Sequence, residues 1–366
     1  MLKSLALAVL LGGSLTMASP LAAQDTAVNS ITSAPVAFLA MHVGGKVRKD
    51  ALGYSYQWPG VYFEARFASP FVNLMFDDDA NNFNVIVDGK PLMILRKPGH
   101  RTITIQANGA GPHTVRVEKR SETQYATGHF QGMMAQPADP AAAPARQIEF
   151  IGDSYTVGYG NTSAFKDCTP DDIFEATDAQ SGFPALVGKH FNADYQVNAF
   201  SGLGMVRNWD GHEHPKYRMP MLYPRAIFDD PTPAAEPGWH PQIIVVGIGG
   251  NDFSTPLHDD EPWKTREALV ADYEATFVKF VKDLRAHNPG AFIVLDAPAD
   301  SGEYQDAVTA VFNTLKASGE TKIDELFLPA TDNTGCNGHP NVRDDAKVAA
   351  MLSGYIESHP ALWQGK

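Results

Sequence analysis

The sequence predicts a β-sandwich followed by a doubly wound α/β domain, and three observations carry that expectation. From about Val36 to His129, apolar and polar residues alternate with period two between turn-forming clusters, the pattern of short half-buried strands. Residues 134–146 then run Met-Ala-Gln-Pro-Ala-Asp-Pro-Ala-Ala-Ala-Pro-Ala-Arg, without period and rich in Pro and Ala, as a linker or surface loop does. Beyond them, apolar strand-like runs alternate with stripes at helical spacing, the texture of repeated βα units.

The first 23 residues read as an export signal. Lys3 supplies the positive start, Leu5 to Leu11 a short apolar core, and Ala22-Ala23 a small-residue cleavage site. The apolar stretch is too short to span a bilayer, and no later one is both long and charge-free enough. The mature chain is therefore expected to be secreted, periplasmic or extracellular. The full chain has 366 residues with 42 acidic against 29 basic, a net charge of −13. Nucleic acid and anionic membrane surfaces are poor partners for that sign, whereas a neutral substrate suits it. About 340 mature residues exceed a typical single core, so two domains are expected.

In residues 31–133, the expected sandwich, Val61, Phe63, Ala65 and Phe67 share one strand face. Val72, Leu74 and Phe76 repeat the pattern, followed by Phe83, Val85 and Val87, then Ile103 and Ile105, then Val115 and Val117. Asp88-Gly89, Pro98-Gly99 and Asn108-Gly109 supply turns between them. Many short strands at regular spacing point to a jelly-roll-like sandwich.

Residues 147–366 carry the α/β pattern. Gln147–Ile151, Tyr195–Ala199, Ile243–Ile248 and Ala291–Asp296 read as strands, Ile243–Ile248 being apolar throughout as a doubly covered parallel strand requires. Phe183, Leu186 and Val187 mark one helix, and Leu269, Tyr273, Phe277, Phe280 and Leu284 a second. Asn341 caps a third, whose Ala346, Ala349, Leu352 and Ile356 are expected to face inward.

Sites in such domains lie beyond the carboxyl ends of the strands. Gly152-Asp153-Ser154 and Gly249-Gly250-Asn251-Asp252 both stand there, and Asn198-Ala199-Phe200-Ser201-Gly202 closes a third strand. A serine at a strand-to-helix turn lifts its hydroxyl off the sheet, as a nucleophile needs, although such a serine also serves as an ordinary cap. The Ser154 N–H, the Gly202 N–H and the Asn251 amide can converge on an oxyanion. His339, in a late Gly-Cys-Asn-Gly-His-Pro segment, is the expected base.

The order Ser154, Gly202, Asn251, His339 resembles the SGNH (GDSL) hydrolase superfamily. Within it the mature chain is similar to carbohydrate esterase family 2. Phe83-Asn84-Val85-Ile86-Val87-Asp88-Gly89 resembles a sandwich strand of that family, and Phe150 to Asn161 resembles the nucleophile block. Ser201-Gly202-Leu203-Gly204 with Arg207-Asn208-Trp209, Gly250-Asn251-Asp252-Phe253-Ser254, and Gly335-Cys336 with His339-Pro340 resemble the later blocks. The resemblance implies a β-sandwich before an SGNH domain, and removal of O-acetyl groups from xylan-, mannan- or glucan-type saccharides. One position departs. Many superfamily members orient the histidine with an Asp three residues before it, where this chain has Cys336, and Asn337 stands two before. A Ser–His dyad is expected instead, its ring held by the Gly338 carbonyl or by Asp332.

Cys168 and Cys336 are the only cysteines and are expected to form a disulfide in an exported protein. No metal or cofactor is expected; His212-Glu213-His214 lacks a nearby cysteine and reads as a polar loop. Trp209, Trp263, Tyr155 and Tyr159 are available to stack on sugars or to fill the core. Two other functions compete with the acetyl esterase: a general lipase, arylesterase or thioesterase, and a carbohydrate-binding protein that has lost catalysis.

Overall fold

The computed structural model describes residues 35–109 and 111–364, so the expected export signal lies outside the described residues. Eleven strands build the N-terminal sandwich: β1 (Ala37–Phe38), β2 (Met41–Gly44), β3 (Arg48–Asp50), β4 (Gly53–Tyr56), β5 (Tyr62–Phe67), β6 (Phe71–Asp78), β7 (Asn82–Val87), β8 (Lys90–Arg96), β9 (Gly99–Gln106), β10 (His113–Lys119) and β11 (Gly128–Ala135). One antiparallel sheet runs β3-β4-β11-β6-β9, with β1 also on β11; the other runs β2-β5-β10-β7-β8. The alternation read from the sequence sets the inner faces. Val61, Phe63, Phe67, Val72, Leu74, Phe76, Phe83, Val85, Val115 and Val117 all bury their side chains in one cluster between the sheets. At the β7–β8 hairpin, Asp88 and Gly89 both take positive φ, as a two-residue turn matched to strand twist requires. The last strand runs two residues into the expected linker, because Met134 and Ala135 pair with Phe38 and Ala37. Pro137 then bridges to Phe67.

The C-terminal half is β12 (Arg146–Gly152), α1 (Ser154–Val157), α2 (Pro170–Ala176), α3 (Phe183–His190), β13 (Ala193–Ala199), α4 (Met219–Leu222), β14 (Ile243–Gly247), α5 (Arg266–His287), β15 (Phe292–Pro298), α6 (Glu303–Ala317), β16 (Ile323–Leu328) and α7 (Val342–Ser358). Its five strands are all parallel in the order β13-β12-β14-β15-β16. The chain crosses from one side of β12 to the other between β13 and β14, which makes the end of β12 the topological switch point. On one face of the sheet, Tyr273, Phe277, Val308 and Val311 pack against Ile244, Val246, Ile293 and Leu295. On the other, Phe183, Val187, Leu352 and Ile356 cover Ile148, Phe150 and Val245. Helix α6 and strand β16 complete the order without having been singled out in the sequence.

Helix α7 departs from the expected face at one position. Ala346 is exposed, and Asp345 points inward instead. Its carboxylate accepts the Phe183 N–H at 3.1 Å and the Asn161 amide at 2.9 Å. A buried acid is tolerable there because both oxygens are bonded.

The sandwich and the α/β half share their cores. Trp58, fully buried, joins the cluster on the α5/α6 face and donates its indole N–H to Arg225 O at 2.7 Å. Tyr62 joins the opposite cluster and donates to Asp194 at 2.5 Å, and His42 approaches the same oxygen at 2.6 Å. From Pro35 onward the chain packs as one unit. Trp58→Ala should therefore cost about 3–5 kcal/mol in denaturant unfolding. Calorimetry of the native protein should give a single transition, and two resolved transitions would contradict the shared core.

Candidate active site

Strand β12 delivers Ser154 to the sheet edge. Asp153 ends the strand as the cap of α1, its Oδ1 accepting the Tyr155 N–H at 3.1 Å. A side chain at Gly152 would come within 2.8 Å of Gly247 O on the neighbouring strand, so the position before the turn has room only for hydrogen. Ser154 follows with its N–H at the open start of the helix. Gly202, just beyond β13, adopts φ +83°. Among the described residues, neither the Ser154 nor the Gly202 N–H has an acceptor within the chain.

His339 reaches Ser154 from the other end of the sequence: its Nε2 lies 2.8 Å from Ser154 Oγ. Its Nδ1 lies 3.0 Å from the carbonyl oxygen of Cys336. A carbonyl can only accept, so the proton sits on Nδ1 and Nε2 is left free to accept the serine hydroxyl hydrogen. The carbonyl is that of Cys336, not Gly338, and among the described residues no carboxylate bonds to the ring. Asp332 instead lies with its backbone N–H on Asp344, 2.9 Å away. The reason is the tight turn at residues 336–338, in which Asn337 and Gly338 take φ +53° and +74° and swing the Cys336 carbonyl under the imidazole. Tyr159 and Tyr155 flank the ring at centroid distances of 4.4 and 5.6 Å. Burial among them lowers the His339 pKa below the ordinary 6.5, while the Cys336 carbonyl pulls in the opposite direction.

The turn is tied down covalently. Cys336 forms a disulfide with Cys168, with Cα atoms 5.4 Å apart. Gly160 is needed for the approach, because a Cβ there would sit 2.3 Å from that of Cys336. The Asn337 N–H also donates to Lys166 O at 2.7 Å.

Asn251 spans the remaining space. Its amide nitrogen donates to Leu203 O at 2.7 Å and to Asp153 Oδ2 at 3.1 Å, linking the residue after Gly202 to the residue before Ser154. It is thus engaged rather than free, and an oxyanion would have to share one of these hydrogens. Burial, reinforced by Asp252, pushes the Asp153 carboxyl up to about 7 even though the Tyr155 N–H opposes the shift. Asp252 braces the loop: its oxygens accept the N–H groups of Met205, Val206 and Arg207 at 2.8–2.9 Å. Arg207 is itself buried in an ion pair with Glu261 at 2.6 Å.

Several contributors come from outside the motifs. The segment between β10 and β11 puts Glu122 against the Ser201 N–H and hydroxyl, and Gln124 against Ser201 O. Trp209 is half exposed beside the same loop, its N–H on Gly202 O at 2.9 Å. His212 and His214 do not form a pair: His214 is buried against Tyr125 and Ser201 O, whereas His212 is exposed against Asp260. Among the described residues, Asp210, His212 and His258 bring three possible ligand atoms within 4.8 Å. They are engaged in exposed ion pairs with one another or with Asp260, and none bonds to Ser154, His339 or Asn251.

Comparison with known proteins bears on the whole chain. The model "Carbohydrate esterase 2 N-terminal" matches residues 43–144, and "GDSL-like Lipase/Acylhydrolase family" matches residues 150–346. An acetylxylan esterase / glucomannan deacetylase of Cellvibrio japonicus is 42% identical over 89% of this chain and 92% of its own. This chain belongs to carbohydrate esterase family 2. A solved carbohydrate esterase at 42% identity superposes with a TM-score of 0.83, over 89% of this chain and 100% of the other. A family 2 enzyme with a carbohydrate-binding domain from Corynascus thermopiles is 27% identical, with a TM-score of 0.74 over 87% and 99% of the two chains. The family supplies both halves together, as seen here.

Two expectations follow. In an NMR titration the His339 imidazole should have its midpoint below 6.5, since burial opposes the charged form. A midpoint above 6.5 would mean that the backbone carbonyl contacts outweigh burial. Cys168→Ser, which leaves the Cys336 carbonyl in place, should lower the unfolding free energy by about 2–4 kcal/mol. An unchanged value would mean that the turn holds itself.

Proposed function

We propose that this chain is an exported acetyl esterase that removes O-acetyl groups from xylan- or mannan-type saccharides through a Ser154–His339 dyad. The observation that carries the reading is the chain of contacts from Cys336 O through the imidazole to Ser154 Oγ, at 3.0 and 2.8 Å. Ser154 Oγ attacks the acetyl carbonyl carbon while His339 Nε2 takes the hydroxyl proton. The carbonyl electron pair becomes an oxyanion held by the Ser154 and Gly202 N–H groups and by one shared hydrogen of Asn251. Collapse breaks the bond to the sugar oxygen, which receives the proton from His339, and leaves an acetylated serine. Water then attacks the acetyl carbon, losing its proton to Nε2. That proton returns to Ser154 as acetic acid departs, to ionise in solution.

The dyad works without a carboxylate because burial keeps the imidazole neutral and Cys336 O fixes its tautomer. The acetylxylan esterase / glucomannan deacetylase activity of the Cellvibrio japonicus relative supports the choice of acyl group and saccharide. The exposed Trp209 indole offers a sugar ring a stacking face beside the oxyanion loop. Export is supported by the N-terminal signal pattern and by the disulfide, a bond typical of oxidising compartments. Acetylated neutral polysaccharide is the partner that an acidic surface leaves open, and no cofactor enters the chemistry proposed.

The test compares acetyl, butyryl and octanoyl esters with acetylated xylan and glucomannan oligosaccharides, on the native enzyme and on Ser154→Ala. Acetyl groups should be released far faster than octanoyl groups, and Ser154→Ala should lose roughly three or more orders of magnitude in kcat. Activity of the variant within tenfold of native would remove Ser154 as the nucleophile. A preference for octanoate would favour a lipase-like enzyme.

A further inference from the structure

Gly202 presents a difficulty that its conformation makes plain. At φ +83° it occupies a region that glycine enters freely, and the same freedom lets the Ser201–Gly202 peptide rotate its N–H away from the site. A donor that is to hold an oxyanion must be fixed before the charge develops. The restraint has to come from outside glycine itself.

We propose that Gln124 and Glu122, both carried by the sandwich, are positioning residues for the oxyanion hole and act through the Ser201–Gly202 peptide. This rests on the reading of the Gly202 N–H as an oxyanion donor. A trans peptide is planar, so Ser201 C=O and Gly202 N–H are opposite ends of one rigid unit. Gln124 Nε2 donates to Ser201 O at 3.1 Å, and His214 Nε2 lies 3.2 Å from the same oxygen. The Tyr125 hydroxyl is bonded to the other ring nitrogen of His214 and fixes the ring between the two halves. Two donors on one carbonyl oxygen set the orientation of the plane. They also draw electron density toward oxygen, which makes the Gly202 N–H at the far end a stronger donor.

Glu122 secures the preceding peptide. One carboxyl oxygen accepts the Ser201 N–H at 2.8 Å and the other accepts its hydroxyl at 2.6 Å, a two-point grip on the residue before Gly202. Gln124 Nε2 also contacts Glu122 at 3.3 Å, coupling the two side chains. Every polar group of Ser201 is therefore bonded to a residue that the α/β nucleophile, oxyanion and histidine motifs do not contain. On the following peptide, Gly202 O accepts the Trp209 N–H at 2.9 Å. The free N–H of Gly202 lies between two carbonyls that are both held.

The experiment uses the full chain and three variants: Gln124→Met, which keeps length and packing but donates nothing; Gln124→Glu, which sets an acceptor against Ser201 O; and Glu122→Gln. Each is assayed for kcat and KM on an acetyl ester, for inhibition by methylboronic acid, whose tetrahedral serine adduct carries an oxyanion, and for Tm. Asn251→Ala is the control that reports on the oxyanion site independently. Gln124→Met and Glu122→Gln should each lower kcat about tenfold, a fraction of the loss expected for removing a donor outright. Gln124→Glu should lower it further. KM should stay within about twofold, and boronate affinity should fall by the same factor as kcat. A variant with lowered Tm still tests the idea through the ratio of boronate affinity to KM, which a purely structural role would leave unchanged. If Asn251→Ala loses kcat while the Gln124 and Glu122 variants keep theirs within twofold, the positioning role is overturned and the oxyanion site stands. Losses confined to KM would overturn it in favour of substrate binding. If Asn251→Ala also retains full kcat, the oxyanion reading itself fails.

Discussion

The bond from His339 Nδ1 to Cys336 O is the constraint on which the rest of the site depends. A histidine can pass a proton only if one nitrogen is committed and the other is free, and something must make that commitment. A carboxylate would do so and would also stabilise the imidazolium. A carbonyl fixes the tautomer with less pull on the proton. The His339 pKa moves accordingly, downward under burial, which favours the neutral imidazole. The carbonyl is useful only while its peptide is held, and the left-handed residues Asn337 and Gly338, the Lys166 contact and the disulfide all bear on that one peptide.

The opposite side of the reacting centre follows the same logic. Ser154 and Gly202 present backbone N–H groups there, and side chains far along the chain hold the Ser201 backbone. The parallel sheet brings Ser154, Gly202 and Asn251 together because the ends of β12, β13 and β14 are neighbours at the switch point. Neighbouring strand ends bring residues near one another but do not set the angle of a peptide. The sandwich reaches across to do that, and its Trp58 and Tyr62 lie in the cores of the other half. A hydrolase domain cut away from its sandwich would expose both apolar clusters and release Ser201.

Much of the fold was legible because burial imposes period. The two-residue alternation named the inner faces of β5, β6, β7 and β10, and the helical stripe of α5 placed all five of its residues in the core. Ser154, Gly202 and Asn251 stood out because strand ends concentrate glycine and polar residues, and His339 because it lies in a late glycine-containing segment just before a capped helix. What escaped notice has a common cause. A carbonyl is present at every residue, so nothing in the letters singles out Cys336 over Gly338 as the acceptor. Glu122 and Gln124 lie 77–79 residues from their partner and sit in a turn of ordinary polarity. Asp345 was passed over for Ala346 because an acid on a helix reads as surface until its two partners, Asn161 and Phe183, are brought up from earlier in the chain.

The disulfide spans 168 residues, and between its ends lie β13, β14, β15 and β16, four of the five strands of the parallel sheet. With those strands in register beside β12, the two cysteines stand with their Cα atoms 5.4 Å apart. With two cysteines in the chain there is no competing intramolecular pair. The covalent bond records that the sheet has assembled, and it does so at the turn that aligns the base. Where thiols stay reduced, the chain would carry the same residues without that final lock.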